Sequence, residues 1–241
     1  ASLFYLNGER QMAIALPPAE DRVRNMIQGF DPYKAFLSNV KLTYRPVSAL
    51  SSELQLFYTR RDPTFYDKVE ETTASEKDYE FGLNFIQSVR ILPDNVLRFG
   101  GLYNHWIAPY GKRFYMGKRC DTETFSGVLT DEQRLGPVTL DAGIRITRTY
   151  LNDYGAFNIE GGGGPFRQVE PVKDEWEPAI VQGSFGITYN TTEKFSLFLN
   201  SAAGNIRPRA GTLLDNNGGE PVNEPLNETR YKIDIGLLHN I

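Results

Sequence analysis

Charged side chains recur at every second position in several stretches of this chain, and they are the residues whose spacing could support chemistry. The clearest case is the segment 138–147, in which Asp141 and Arg145 alternate with apolar residues. A period of two places alternate side chains on opposite faces of a β-strand. The same parity argument gives six candidates for a polar, ligand-guiding surface: Glu80, Arg98, Asp141, Arg145, Lys232 and Asp234. The simpler interpretation is a solvated polar face with cross-strand pairing.

The sequence predicts no catalytic residues. His105 and His239 are isolated, so neither a metal site nor a nucleophile–base pair is expected. The run Gly161–Gly164 is not followed by Lys and Ser or Thr, which excludes a phosphate-binding loop. Asp131 and Glu132 are neighbours on one strand and point to opposite faces, so they do not form an acid–base pair. We therefore expect a protein that is not an enzyme and that has no cofactor or metal.

The composition bounds the class of protein. The chain has 241 residues, of which 40% are hydrophobic, and a formal net charge of −4. This length is enough for one large all-β unit. The mild acidity argues against nucleic acid as a partner. No apolar run reaches about 18 residues, so no transmembrane helix is expected, whereas a membrane β-barrel remains possible because half of each strand faces a polar lumen.

Alternation along the chain predicts an antiparallel meander of about ten strands. The first hairpin is expected to turn at Asn7-Gly8, a strong two-residue turn signal. Short links are predicted at 7–8, 45–51, 91–95, 135–137 and 190–193. Long links are predicted at 17–34, 60–77, 107–121, 151–178 and 204–227. Short and long links take turns, as they do in outer-membrane barrels with tight periplasmic turns and longer extracellular loops. The predicted fold class is therefore all-β, as part of a transmembrane β-barrel.

Aromatic residues support a membrane position. Tyr44 and Tyr189 fall at the short-link ends of strands, and Tyr79, Tyr103 and Tyr231 fall at long-link ends. Two belts of amphipathic rings are expected at the two membrane interfaces. A further set lies on the predicted long links and is a candidate for extracellular ligand recognition: Tyr110, Phe114, Tyr115, Phe157, Phe166 and Trp176. The alternative for this set is packing within the loops.

Three segments resemble TonB-dependent outer-membrane receptors. FSGVLTDEQRLGPVTLDAGIRITRTYLNDYG is similar to a strand-turn-strand of that family, with L-G-P-x-T-L-x-A-G-x-R running from Leu135 to Arg145. GSFGITYNTTEKFSLFLNSAAGNIRPRAG resembles the next hairpin, with Phe198 where the family has Tyr. NETRYKIDIGL resembles the start of the following strand, with Asp234 where Glu is commoner. The specific likeness covers residues 96–237.

The resemblance implies a receptor of the Gram-negative bacterial outer membrane that takes up a bulky, scarce nutrient such as a metal chelate, a vitamin or a glycan. It implies outer-membrane lipid, a plug domain, the TonB complex and a small-molecule ligand as partners. The family barrel has about twice as many strands, and the plug is not found here. We therefore expect residues 1–241 to be a single partial barrel domain, truncated at both ends. Two alternatives stay open: a passive porin or other outer-membrane barrel, and a soluble all-β domain that binds carbohydrate or protein.

Overall fold

Strands make up almost all of the structure, a computed structural model that describes residues 1–11, 28–68, 71–75, 77–110, 119–154, 173–206 and 228–239. The strands are β1 Ser2–Gln11, β2 Gln28–Val47, β3 Leu50–Asp67, β4 Thr72–Ser75, β5 Lys77–Val89, β6 Asn95–Tyr110, β7 Cys120–Leu135, β8 Val138–Tyr154, β9 Glu175–Trp176, β10 Ile180–Asn190, β11 Phe195–Ile206 and β12 Glu228–His239. Within these ranges, no helix is long and apolar enough to cross a membrane.

All strands belong to one antiparallel sheet. Ten of them follow one another across the sheet in the order β1-β2-β3-β5-β6-β7-β8-β10-β11-β12, while the short strands β4 and β9 pair with β3 and β8. Apart from these two additions, neighbours in the sheet are neighbours in the chain. The predicted all-β meander of about ten strands is confirmed.

Tight turns close every second hairpin. The β7–β8 ladder begins at the pair Leu135↔Val138 and continues to Cys120↔Tyr154. Gly136 in this turn has φ of 59°, a conformation that a side chain disfavours, which explains glycine at this position. Because the strands are antiparallel, these short links lie at one end of the sheet and the long links lie at the other. We call these the short-link end and the long-link end.

Three predicted boundaries were wrong. Asn7 and Gly8 do not form a turn but pair with Lys34 and Tyr33 inside the continuous strand β1. Strands β2 and β3 also extend far into the predicted links 17–34 and 60–77. Their outer parts are held by long-range pairing, for example Gln28↔Asp67. Turn dipeptides and polar composition are local signals, and the ladder between distant segments overrides them. The helical turn predicted at 19–27 lies outside the described residues.

The pairing register divides the side chains between two faces, because residues paired across a ladder point to the same side. We call the side that carries Arg145 and its partners Val128 and Gln182 the polar face. The other side is the apolar face. It includes Leu54, Leu56, Leu83, Phe85, Leu140, Ile144, Phe185, Ile187, Leu197, Leu199, Ile233 and Ile235.

The apolar face is largely uncovered. Leu199, Ile144 and Ile235 have 38%, 45% and 80% of their surface exposed. Among the described residues, the buried hydrophobic side chains are Ala35, Ala108, Cys120 and Leu151. A soluble sandwich would bury such a face against a second sheet, and the described residues contain one sheet only.

Candidate functional site

The six charged residues singled out from the sequence lie on the polar face. The pairing of β8 with β10, of β10 with β11 and of β11 with β12 places Asp234 and Lys232 on the same face as Asp141 and Arg145. In the other direction, the pairing of β8 with β7 and of β7 with β6 places Arg98 on this face. The pairing of β6 with β5 places Glu80 there as well. The register brings the six residues to one surface that spans seven strands of the meander, from β5 to β12. Their role in guiding a ligand stays a prediction.

Most of these side chains have polar partners. Arg98 Nη2 donates to Glu132 Oε2 at 3.1 Å, and Lys232 Nζ lies 2.7 Å from Asp234 Oδ2. Asn104 Nδ2 donates to Glu80 Oε1 at 2.9 Å. These partners are solvated or partly exposed, so each ion pair contributes little to stability. Together they form a charged surface with alternating signs rather than one concentrated binding charge.

Arg145 stands at the side of a hollow in the polar face. Its Nη2 donates to Ser126 Oγ at 3.3 Å, and within the described residues it has no ion pair with a carboxylate. The hollow has a volume of about 450 Å³. Its floor is made of small residues on neighbouring strands, including Gly143, Ser184 and Ala202. Such a surface can receive a ligand group or a loop of another domain.

A second local feature of the polar face depends on a missing side chain. A Cβ at Gly186 would collide with the carboxylate of Asp141 and would lie 2.7 Å from Asn200 Oδ1. Glycine therefore lets these two oxygen-bearing side chains approach each other from both neighbouring strands. Asn200 pairs in turn with Asp234 on β12, so acidic and amide groups form one continuous row.

Aromatic rings form a chain across the apolar face near the long-link end. The ring centroids of Phe81 and Tyr103 are 6.1 Å apart, and those of Tyr103 and Phe125 are 5.1 Å apart. Trp176 continues the chain at 5.7 Å from Phe125 and 5.0 Å from Tyr150. The rings have the edge or tilted geometry that aromatic pairs prefer.

The six aromatic loop candidates have different positions. Trp176 lies in β9, paired with Tyr150, and packs in the ring chain instead of lying on an unpaired loop. Tyr110 is the last residue of β6. The remaining four lie outside the described residues: Phe114, Tyr115, Phe157 and Phe166. Ligand recognition by this set stays a prediction.

A polar network around the buried carboxylate of Asp121 lies at the long-link end and was not predicted from the sequence. His105 Nε2 lies 2.6 Å from Asp121 Oδ1, and Arg119 Nη2 donates to Asp121 Oδ2 at 2.5 Å. Asn152 Nδ2 donates to Asp121 Oδ1 at 3.0 Å and to Glu123 Oε1 at 2.9 Å. These residues meet only through the β6–β7–β8 register, so no local motif announces them. The described residues contain no group of three or more His, Cys, Asp or Glu placed to hold a metal ion.

The surroundings of Asp121 shift its acidity. Burial raises the pKa of this carboxyl, but the hydrogen bonds from His105, Arg119 and Asn152 favour the charged form and leave the pKa below its ordinary value. Asp121 lies fourteen residues from Leu135 along β7 and therefore at the long-link end of the strand.

Comparisons with known proteins point to one solved structure. No family model matches the chain, and no curated protein matches it. A solved structure described as the copper transporter OprC matches with a TM-score of 0.65 and 14% sequence identity. The likeness is one of fold. The match covers 88% of this chain and 38% of the transporter chain, so this chain spans well under half of that protein's length.

Proposed function

We propose that this chain forms part of the wall of a β-barrel transporter in the bacterial outer membrane. The observation that carries the proposal is the exposed apolar face on a sheet whose opposite face is polar. Apolar-out and polar-in alternation is the pattern of an outer-membrane barrel, in which lipid covers one face and a lumen faces the other. The fold shared with the copper transporter OprC supports the same reading.

The alternation of short and long links supports one orientation of the sheet in the membrane. Short links at one end and long links at the other correspond to periplasmic turns and extracellular loops. Ten strands in an open sheet leave the outer edges of β1 and β12 unpaired within the described residues. Unpaired backbone groups are costly in a bilayer, so further strands would have to complete the barrel.

The transport mechanism is an extension of the proposal. The resemblance to TonB-dependent receptors suggests energy-coupled uptake of a bulky, scarce nutrient such as a metal chelate, a vitamin or a glycan. In this mechanism a plug domain would contact the polar face, and the row of acidic and amide groups from Asp141 to Asp234 would line the path that opens when the plug moves. The chain breaks no bond of the substrate, and the work is done through the TonB complex.

Uptake with and without an uncoupler tests the mechanism. Cells that carry the complete protein would be given a labelled ligand, and surface binding and uptake would be measured separately. We expect an uncoupler to abolish uptake and to leave surface binding intact. Uptake that follows the concentration gradient and ignores the uncoupler would replace this mechanism with a passive porin. Failure of the complete protein to insert into membranes would instead favour a soluble all-β binding domain.

A further inference from the structure

On four strands, a cation follows the apolar side chains of the apolar face toward the long-link end. These cations are Lys34, Arg60, Lys77 and Arg148. Each lies ten to thirteen residues from the short-link end of its strand. At about 3.4 Å per residue and a tilt of about 40°, ten to thirteen residues rise roughly 26–34 Å, which reaches the border of an apolar band about 25 Å tall or passes just beyond it. The cations therefore stand at one border of the proposed lipid-facing band.

Three of these cations form one basic cluster, which consists of Lys34, Arg60 and Lys77. Arg60 binds Asp62 Oδ2 through Nε at 2.7 Å and Nη2 at 2.6 Å. The ammonium of Lys77 and the guanidinium of Arg60 lie 5.2 Å and 5.8 Å from the ring centroid of Tyr79. Lys34 and Lys77 have no ion pair with a carboxylate in the part of the chain that the structure describes. Three cations thus share one carboxylate, which leaves a net positive charge.

A groove runs from the basic cluster onto the apolar face. It has a volume of about 440 Å³ and is lined by Tyr5, Phe36 and Tyr58, with Lys34, Arg60 and the carboxylate partner of Arg60, Asp62, at one end. The ring centroids of Phe36 and Tyr58 lie 6.2 Å apart. Tyr5 has 64% of its surface exposed. The groove thus combines an aromatic floor with a cationic end.

The same arrangement recurs on the same face at β8, three strands along the sheet from β5. The guanidinium of Arg148 lies 4.9 Å from the ring centroid of Trp176, and its Nε donates to the carbonyl oxygen of Glu177 at 3.2 Å. A cation over an aromatic ring at the edge of an apolar surface is therefore repeated on β3, β5 and β8. A repeated border of this kind fits a continuous layer of amphiphiles better than a single partner.

We infer that the basic cluster and its groove bind a lipid that carries phosphate on its headgroup. The inference rests on the proposed function, because it requires the apolar face to contact lipid. The hydrocarbon chain lies along Phe36 and Tyr58, and the phosphate meets Lys34, Lys77 and the outer edge of Arg60. An acidic peptide would satisfy the cations but would leave the apolar floor and the adjoining band uncovered. Binding at this site fixes how deep the sheet lies in the membrane and which lipids surround it.

Lipid binding to the complete protein in a non-ionic detergent tests the inference. The probes are dioleoyl phosphatidic acid and dioleoylglycerol, which share their acyl chains and differ in the phosphate, and native mass spectrometry counts bound lipid. The test variant is the double substitution Lys34→Gln with Lys77→Gln, which breaks no ion pair. The matched control is Arg90→Gln with Lys194→Gln, which removes the same charge at the short-link end and also breaks no ion pair within the described residues.

The native protein should bind phosphatidic acid at least tenfold more tightly than dioleoylglycerol. The test variant should lose roughly 25-fold in affinity for phosphatidic acid, since one Lys near an anionic surface contributes about fivefold. The control should bind as the native protein does. Equal affinity for the two lipids, or an equal loss in the control, would overturn the inference. If the protein inserts into membranes but has no phosphate preference, this inference fails while the proposed function stands.

Discussion

Replacing one side chain on each face of β11 gives the sharpest test of the lipid-facing assignment. Leu199 lies on the apolar face opposite Ile187 and Ile235, whereas the next residue, Asn200, lies on the polar face opposite Gly186 and Asp234. The two residues differ by one position in depth. The pair Leu199→Arg and Asn200→Arg therefore places the same side chain at one height on opposite sides of the sheet.

The depth of Leu199 in the proposed apolar band determines the expected cost of Leu199→Arg. It is the fifth residue of β11, which begins at Phe195. Four steps of about 3.4 Å at a tilt of about 40° place it roughly 10 Å into an apolar band about 25 Å tall, close to the midplane. An Arg on the lipid face at that depth costs about 2–4 kcal/mol. Asn200→Arg meets the carboxylates of Asp141 and Asp234, so its cost should be within about 0.5 kcal/mol.

The assay is reversible unfolding of the complete protein in lipid vesicles, with the free energy of unfolding extrapolated to zero denaturant. We expect Leu199→Arg to lower this free energy by about 2–4 kcal/mol and Asn200→Arg to leave it nearly unchanged. A similar cost at both positions would refute the assignment of the apolar face to lipid. A larger cost at Asn200 would reverse it.

Three further predictions concern packing, acidity and ligand recognition. Gly82→Val should lower the free energy of unfolding by about 1–3 kcal/mol because a Cβ there collides with the Phe57 ring, whereas Gly127→Val should cost much less because nothing lies within 4 Å of its Cβ. The pKa of Asp121 is lowered, so the stabilisation that its carboxylate contributes is present above about pH 4 and is lost as the pH falls through the lowered pKa. Asp121→Asn should therefore lose less stability than the native protein does in acid unfolding. Trimming 111–118 or 155–172 should weaken surface binding of the ligand and leave assembly intact, measured by labelled-ligand binding and by the amount of folded protein in the membrane.

The strands that were predicted best are those with a clean local pattern. In β8, apolar and polar residues alternate from Val138 to Thr147, and the Gly136 turn fixes where the strand starts. Parity within a strand follows from its own residues. The relation between strands depends on register, which a tight turn sets for the two strands that it joins.

The regions that were predicted poorly depend on distant partners. Asn7-Gly8 reads as a turn, but β2 is long enough to pair with the whole of β1. The outer half of β3 is polar and charged, and it is a strand because β2 and β4 flank it. The contact between His105 and Asp121 has the same origin, since the two residues are sixteen positions apart and meet across the β6–β7 ladder.

The position of the tight turns has a consequence for how such a wall can diversify. Each hairpin closed by a short link has its register set at that end, as Leu135↔Val138 sets it for β7 and β8. Residues inserted into a long link therefore add length without displacing any pair in the ladder. In the proposed barrel, new ligand specificity can accumulate at the long-link end of the sheet while the paired strands keep their sequence constraints. For protein engineering, the long links are accordingly the places at which foreign recognition loops can be grafted.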